Sequence, residues 1–92
     1  MLKVIYMDVD TIKKLLDEIN DDRSVPRNIR SSVQEAKESL DDISQDLEIR
    51  ISNAISLLDN ISNDPNLPIY TRTQIWNVVS MLEVINKSEK RI

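Results

Sequence analysis

Apolar residues recur along this chain at helical spacing. Between residues 8 and 20, Val9, Ile12, Leu15, Leu16 and Ile19 share one face of a helix, with polar positions between them. Ile29, Val33, Ala36, Leu40 and Ile43 follow at steps of four and three, which predicts a second helix over about 26–43 with a narrow apolar stripe. Leu47, Ile51, Ala54, Ile55, Leu58 and Ile61 predict a third over about 46–62. The fourth, over about 68–87, is the greasiest, since eight of the eleven residues from Ile75 to Ile85 are apolar. Short polar connections separate the four: NDDRSVP, SQDLE and SNDPNLP. Pro26 and Pro68 suit the first turn of a helix and push Val25 and Leu67 out of helical dihedrals. Asn20 and Asn63 are candidates for left-handed caps, and Ser44 and Asp46 for the start of the third helix. Short connections join antiparallel neighbours, so the pattern predicts an all-α fold, a compact up-and-down four-helix bundle.

The pattern repeats at an offset of 42. Residues 15–43 align without a gap on residues 57–85, and nine of the twenty-nine positions are identical, among them Asp22 with Asp64, Pro26 with Pro68, Arg30 with Arg72, Leu40 with Leu82 and Ile43 with Ile85. A period of this length fits paired-helix repeats, whose units bury their apolar faces by stacking. The chain therefore reads as one helical domain of two hairpins, about 8–43 and 46–87, preceded by an apolar segment at 1–7.

Composition removes whole classes of chemistry. The 92 residues contain no Cys, no His and no Gly. That excludes thiol and imidazole nucleophiles, a Ser-His-Asp triad and the usual zinc, haem and iron-sulfur ligands. It also excludes glycine-rich phosphate loops. No apolar run is long enough for a membrane span, and MLKVIYMDVD turns acidic too soon for a secretory signal, so the expected setting is cytoplasmic. Only carboxylates remain as metal ligands. Glu38, Asp41, Asp42, Asp46 and Glu48 crowd one junction, yet their spacing does not match a calcium loop, so we expect neither a metal nor a cofactor.

The strings VPRNIR (25–30), NDPNLP (63–68) and TRTQIW (71–76) closely resemble an uncharacterised family of small archaeal proteins of the UPF type, over roughly residues 9–86. That resemblance implies a compact four-helix bundle of the kind grouped with bromodomain-like folds, and implies no activity. The Asp-to-Pro loop followed by an Arg in each repeat looks more loosely like a HEAT repeat, whose corresponding spacing is usually a little shorter than the eight residues here.

Two surfaces could carry function. Arg27, Arg30, Gln34 and Lys37 lie within about 80° of one another on the second helix, with Arg23 in the loop above. Two arginines in a first turn oppose the helix dipole. Either Asp21 and Asp22 neutralise them, or the strip binds an external anion such as phosphate. On the fourth helix, Met81 and Val84 lie away from the core stripe, where residues 1–7 could cover them or a partner could dock. Trp76 flanks the stripe, either as half-buried core or as an interface anchor. Arg72 either ties its loop to the following helix or contributes to the same surface with Tyr70.

Enzymes need convergent titratable groups, and none is visible here. The leading expectation is a non-enzymatic interaction or scaffold module that meets a protein partner, or forms a homodimer, through Tyr70, Arg72, Trp76, Met81 and Val84. The alternative is an accessory nucleic-acid or ribonucleoprotein binder using Arg23, Arg27, Arg30 and Lys37. The net charge of -4 counts against it.

Overall fold

The computed structural model describes residues 9–90, with side chains up to residue 87. The apolar segment 1–7 and the basic tail at Lys90 and Arg91, expected respectively to cover helix four and to extend the charge dipole, lie outside the residues whose side chains are described. Four helices follow in order: α1 (Val9–Asn20), α2 (Arg27–Asp41), α3 (Leu47–Ser62) and α4 (Ile69–Lys90). No strand occurs among the described residues, and the protein is an all-α four-helix bundle.

Neighbours in sequence are neighbours in space, and α1 closes the ring against α4. The pairings are antiparallel. Lys13 bonds Asp41, Asp17 bonds Lys37 and Asn20 bonds Gln34, so α1 and α2 run in opposite directions. The Asn28 amide reaches the Asp64 carboxylate at 3.3 Å, which brings the first and third loops to the same end.

One core fills the bundle. Ile12, Leu16 and Ile19 enter from α1; Ile29, Val33, Ala36 and Leu40 from α2; Ile51, Ala54, Leu58 and Ile61 from α3; Ile75, Val78, Val79, Leu82 and Ile85 from α4. The predicted stripes account for nearly all of these, since a helix that offers one apolar face must bury it against its neighbours. Val25 and Leu67 join the core from loops. Each sits in a bend just before a proline and is almost fully buried, an apolar plug beneath the turn.

Three expectations need correction. Helix α2 ends at Asp41 rather than near 43, and Ile43 is 89% exposed. Asn20 and Asn63 are not left-handed caps, because no described residue has positive φ and Asn63 is right-handed at φ -94°. Asp46 stands at the N-cap of α3 without a side-chain cap bond, and the Ser44 hydroxyl donates to Asp42 instead.

The physical reason is a loop design used three times. At Asp22, Asp42 and Asp64 the backbone N-H closes a tight last turn on the carbonyl three residues back, at Ile19, Ser39 and Ile61. The same residue's carboxylate then accepts the N-H two residues on, from Ser24, Ser44 and Asn66, an Asx turn. Its carbonyl accepts a bond from Val25, Gln45 or Leu67, and the next helix opens with Arg30, Arg50 or Arg72 bonded to the carbonyl four residues back. The chain is thus stopped by an aspartate side chain, a device needing no glycine.

Candidate functional site

Eight residues after each loop aspartate stands an arginine. Arg72 is held by the loop it follows: Nε donates to the Ser62 carbonyl and Nη2 to the Asp64 carbonyl, both at 3.0 Å. Arg50 Nη1 donates to the Leu40 carbonyl at 3.2 Å. Each guanidinium therefore closes the exposed carbonyl end of the preceding helix, where a cation is favoured by the dipole. Arg72's donors point into its own molecule rather than outward with Tyr70.

Arg30 holds the equivalent position and behaves differently. Its guanidinium makes no hydrogen bond or ion pair among the described residues, and its buried Nε has no partner. Arg23 and Arg27 are exposed, and likewise unpaired among the described residues. Asp22, expected to neutralise them, is engaged elsewhere: bonds from the Ser24 hydroxyl and then the Ser24 N-H hold its carboxyl below the usual carboxylate range. No acid stands in the first turn of α2. Lys37 leaves the strip, because its Nζ sits 2.6 Å from Asp17. Gln34 links Asn20 to Glu38. What remains is Arg23, Arg27 and Arg30 around the first loop.

The other surface lies on α4. Ile69, Trp76 and Val84 fall within about 80° at 100° per residue, opposite Ile75 and Leu82. They are 80%, 56% and 40% exposed. Thr73 and Ser80 fill the face between them, and exposed Tyr70 stands at its edge. Met81 is elsewhere. It packs against the core and, with Leu15, Glu18, Tyr70 and Gln74, lines a groove of about 520 Å³ between α1 and α4.

The acidic junction is divided among local duties. Asp41 bonds Lys13, a hydrogen bond that raises the lysine pKa. Asp42 accepts from the Ser44 hydroxyl and N-H, which lowers its own pKa. Among the described residues no three acidic side chains are placed to hold a metal ion, and no helix is long and apolar enough to cross a membrane.

The repeat at offset 42 showed two aspartate-arginine pairs and missed the third, Asp42 with Arg50. Its signal was present: the spacing of eight recurs there, without the proline and the apolar plug.

Known proteins share this architecture. A model of an uncharacterised protein family, UPF0147, matches residues 5–85. A UPF0147 protein of Methanosarcina acetivorans is 53% identical over 76 residues, covering 83% of this chain and 78% of its own. One from Methanocaldococcus jannaschii is 52% identical over 69 residues, covering 75% and 74%. A crystal structure of a UPF0147 protein from Thermoplasma acidophilum superimposes with a TM-score of 0.79 at 36% identity, covering 83% of this chain and 89% of that one. Another, of a protein described as of unknown function, gives 0.80 at 51% identity, covering 82% and 85%. The resemblance to a small archaeal family is borne out by these matches.

Proposed function

We propose that this chain, which belongs to the UPF0147 family, is a small helical interaction module that docks a protein through the outward face of α4. The observation that carries the reading is the exposure of Ile69, Trp76 and Val84 together on one side of a single helix, with Tyr70 beside them. Scattered apolar residues are normal on a surface, but a Trp and two branched aliphatics in one row, edged by a Tyr, make an anchor pattern. The row runs about 22 Å along the helix, matching a partner helix laid alongside. A non-catalytic role is supported by the fate of the titratable groups: Asp17, Asp22, Asp41 and Asp42 are each engaged in local bonds rather than converging on a cleft. The matched family carries no enzymatic name.

Site-specific photo-crosslinking in the native cell tests it. A crosslinker at position 76 or 84 should capture one defined protein, or a second copy of this chain, while the same group at Asn53, on the polar surface between α2 and α3, should not. Equal yields at positions 53, 76 and 84 would overturn the reading.

A further inference from the structure

We propose that the first loop is a binding site for a single phosphate group, held by Arg30 and Arg23. The argument is one of comparison inside the molecule. Three loops share one backbone plan, and in two of them the arginine eight residues on donates to the carbonyl two residues before the loop aspartate, Leu40 for Arg50 and Ser62 for Arg72. The corresponding acceptor for Arg30 is the Asn20 carbonyl, and that bond is not made. The sequence supplies the same aspartate, the same spacing and the same helix start, yet here the guanidinium is withheld from its structural duty.

Withholding it is costly. A charged donor out of water without an acceptor loses solvation and gains nothing in exchange. Arg30 Nε is such a donor, as is Arg50 Nε, but Arg50 keeps its carbonyl bond through Nη1 while the Arg30 guanidinium keeps none, and Arg30 borders a recess of about 470 Å³ lined by Asn20, Asp21, Arg23 and Arg30. Arg23 and Arg30 share that lining with Asp21, and exposed Arg27 adds a third positive charge at the start of α2. An oxyanion in the recess would accept from Arg30 and Arg23 in the forked geometry that guanidinium offers to phosphate. The Asn20 side chain is already turned to Gln34, so it does not compete for the arginines.

A single group fits better than a polyanion. The lining supplies a local charge of +1, from two arginines and one aspartate, on a chain of net charge -4. A nucleic-acid backbone needs a longer positive track, with one contact per phosphate, and Lys37, which would extend the track, is paired with Asp17. The shared chemistry is a phosphate group, whether free or carried by a small molecule.

The test is a heteronuclear NMR titration with inorganic phosphate, with a single-stranded oligonucleotide as a second arm. Saturable shifts confined to residues 20–30 are expected with inorganic phosphate. Arg30→Gln and Arg23→Gln should each weaken binding roughly tenfold, and Asp21→Asn should tighten it several-fold, as loss or gain of a charged contact implies. Arg23 is exposed, so its variant reports on binding even where Arg30→Gln disturbs the fold. Shifts that fail to saturate, or that persist unchanged in the double arginine variant, would overturn the proposal. So would tight oligonucleotide binding without phosphate binding, which would make the loop part of a nucleic-acid surface.

Discussion

Replacing each of the three loop arginines by methionine is the sharpest test of the loop design, because one substitution is made at three equivalent places. Methionine keeps a flexible apolar stem of similar reach, so packing along the side chain is largely retained and the guanidinium is what is lost. Arg72 gives two bonds to carbonyls in a partly buried setting. Hydrogen bonds to charged groups contribute about 1.5 to 3 kcal/mol each, and two from one guanidinium are coupled, so Arg72→Met should cost about 2 to 4 kcal/mol. Arg50 gives one such bond, and Arg50→Met should cost about 1 to 2 kcal/mol on the same scale. The Arg30 guanidinium gives none and its Nε is buried without a partner, so Arg30→Met removes no bond and relieves an unpaired donor, and should leave stability unchanged or raise it by up to about 1 kcal/mol. In a domain of this size the Arg72 change corresponds to a fall in Tm of about 10 °C or more. The assay is urea unfolding followed by helical circular dichroism, run without phosphate so that a bound anion does not support Arg30. If Arg30→Met proves as damaging as Arg72→Met, the three loops are not held as the hydrogen bonds indicate.

Other perturbations follow from the same geometry. Leu40→Ala and Leu82→Ala remove fully enclosed side chains and should each cost about 2 to 5 kcal/mol in urea unfolding, whereas Ile43→Ala should cost less than about 0.5 kcal/mol. Leu67→Ala, although it lies in a loop, should fall with the core leucines, because it is 4% exposed. Asp22 and Asp42 have carboxyl pKa values lowered from 3.8 chiefly by their serine hydroxyls. Their contribution is complete above that value and is lost as pH falls through the lower folded pKa. An Asp22→Asn, Asp42→Asn double variant should therefore show a shallower acid dependence in pH-dependent thermal unfolding, and an unchanged slope would count against the Asx turns. Lys13 has its pKa raised by Asp41, so that pair stabilises below the ordinary lysine value and fades as pH rises through the folded one. Asp41→Asn should flatten the alkaline limb of the same stability curve.

Helix number, helix faces and most of the core were legible because burial imposes a period that side-chain polarity records. Leu16, Val33, Leu58 and Ile75 could be placed on that ground alone. Ile43 could not, since it continues the stripe of α2 by spacing while Asp42 has already turned the backbone out of the helix. Its pairing with Ile85 in the offset alignment reinforced the error, because the middle loop lies 20 residues from the first and 22 from the third and falls out of register with a period of 42. For the candidate sites, helical angle grouped Lys37 with Arg27 and Arg30 correctly, but only the packing of α1 on α2 brings Asp17 to Lys37. Whether an arginine is satisfied depends on angstroms between elements, and Arg30 and Arg72 look alike in the sequence.

The described backbone contains no residue at positive φ, and the chain contains no glycine. Every turn is thus made from conformations open to any side-chain-bearing residue. Glycine widens the set of states a disordered chain explores, and proline and branched residues narrow it. This chain therefore begins folding from a comparatively restricted ensemble, with three prolines restricting it further. A domain too short for a large core gains part of its margin in that way, from what the unfolded chain is denied rather than from added contacts in the folded one.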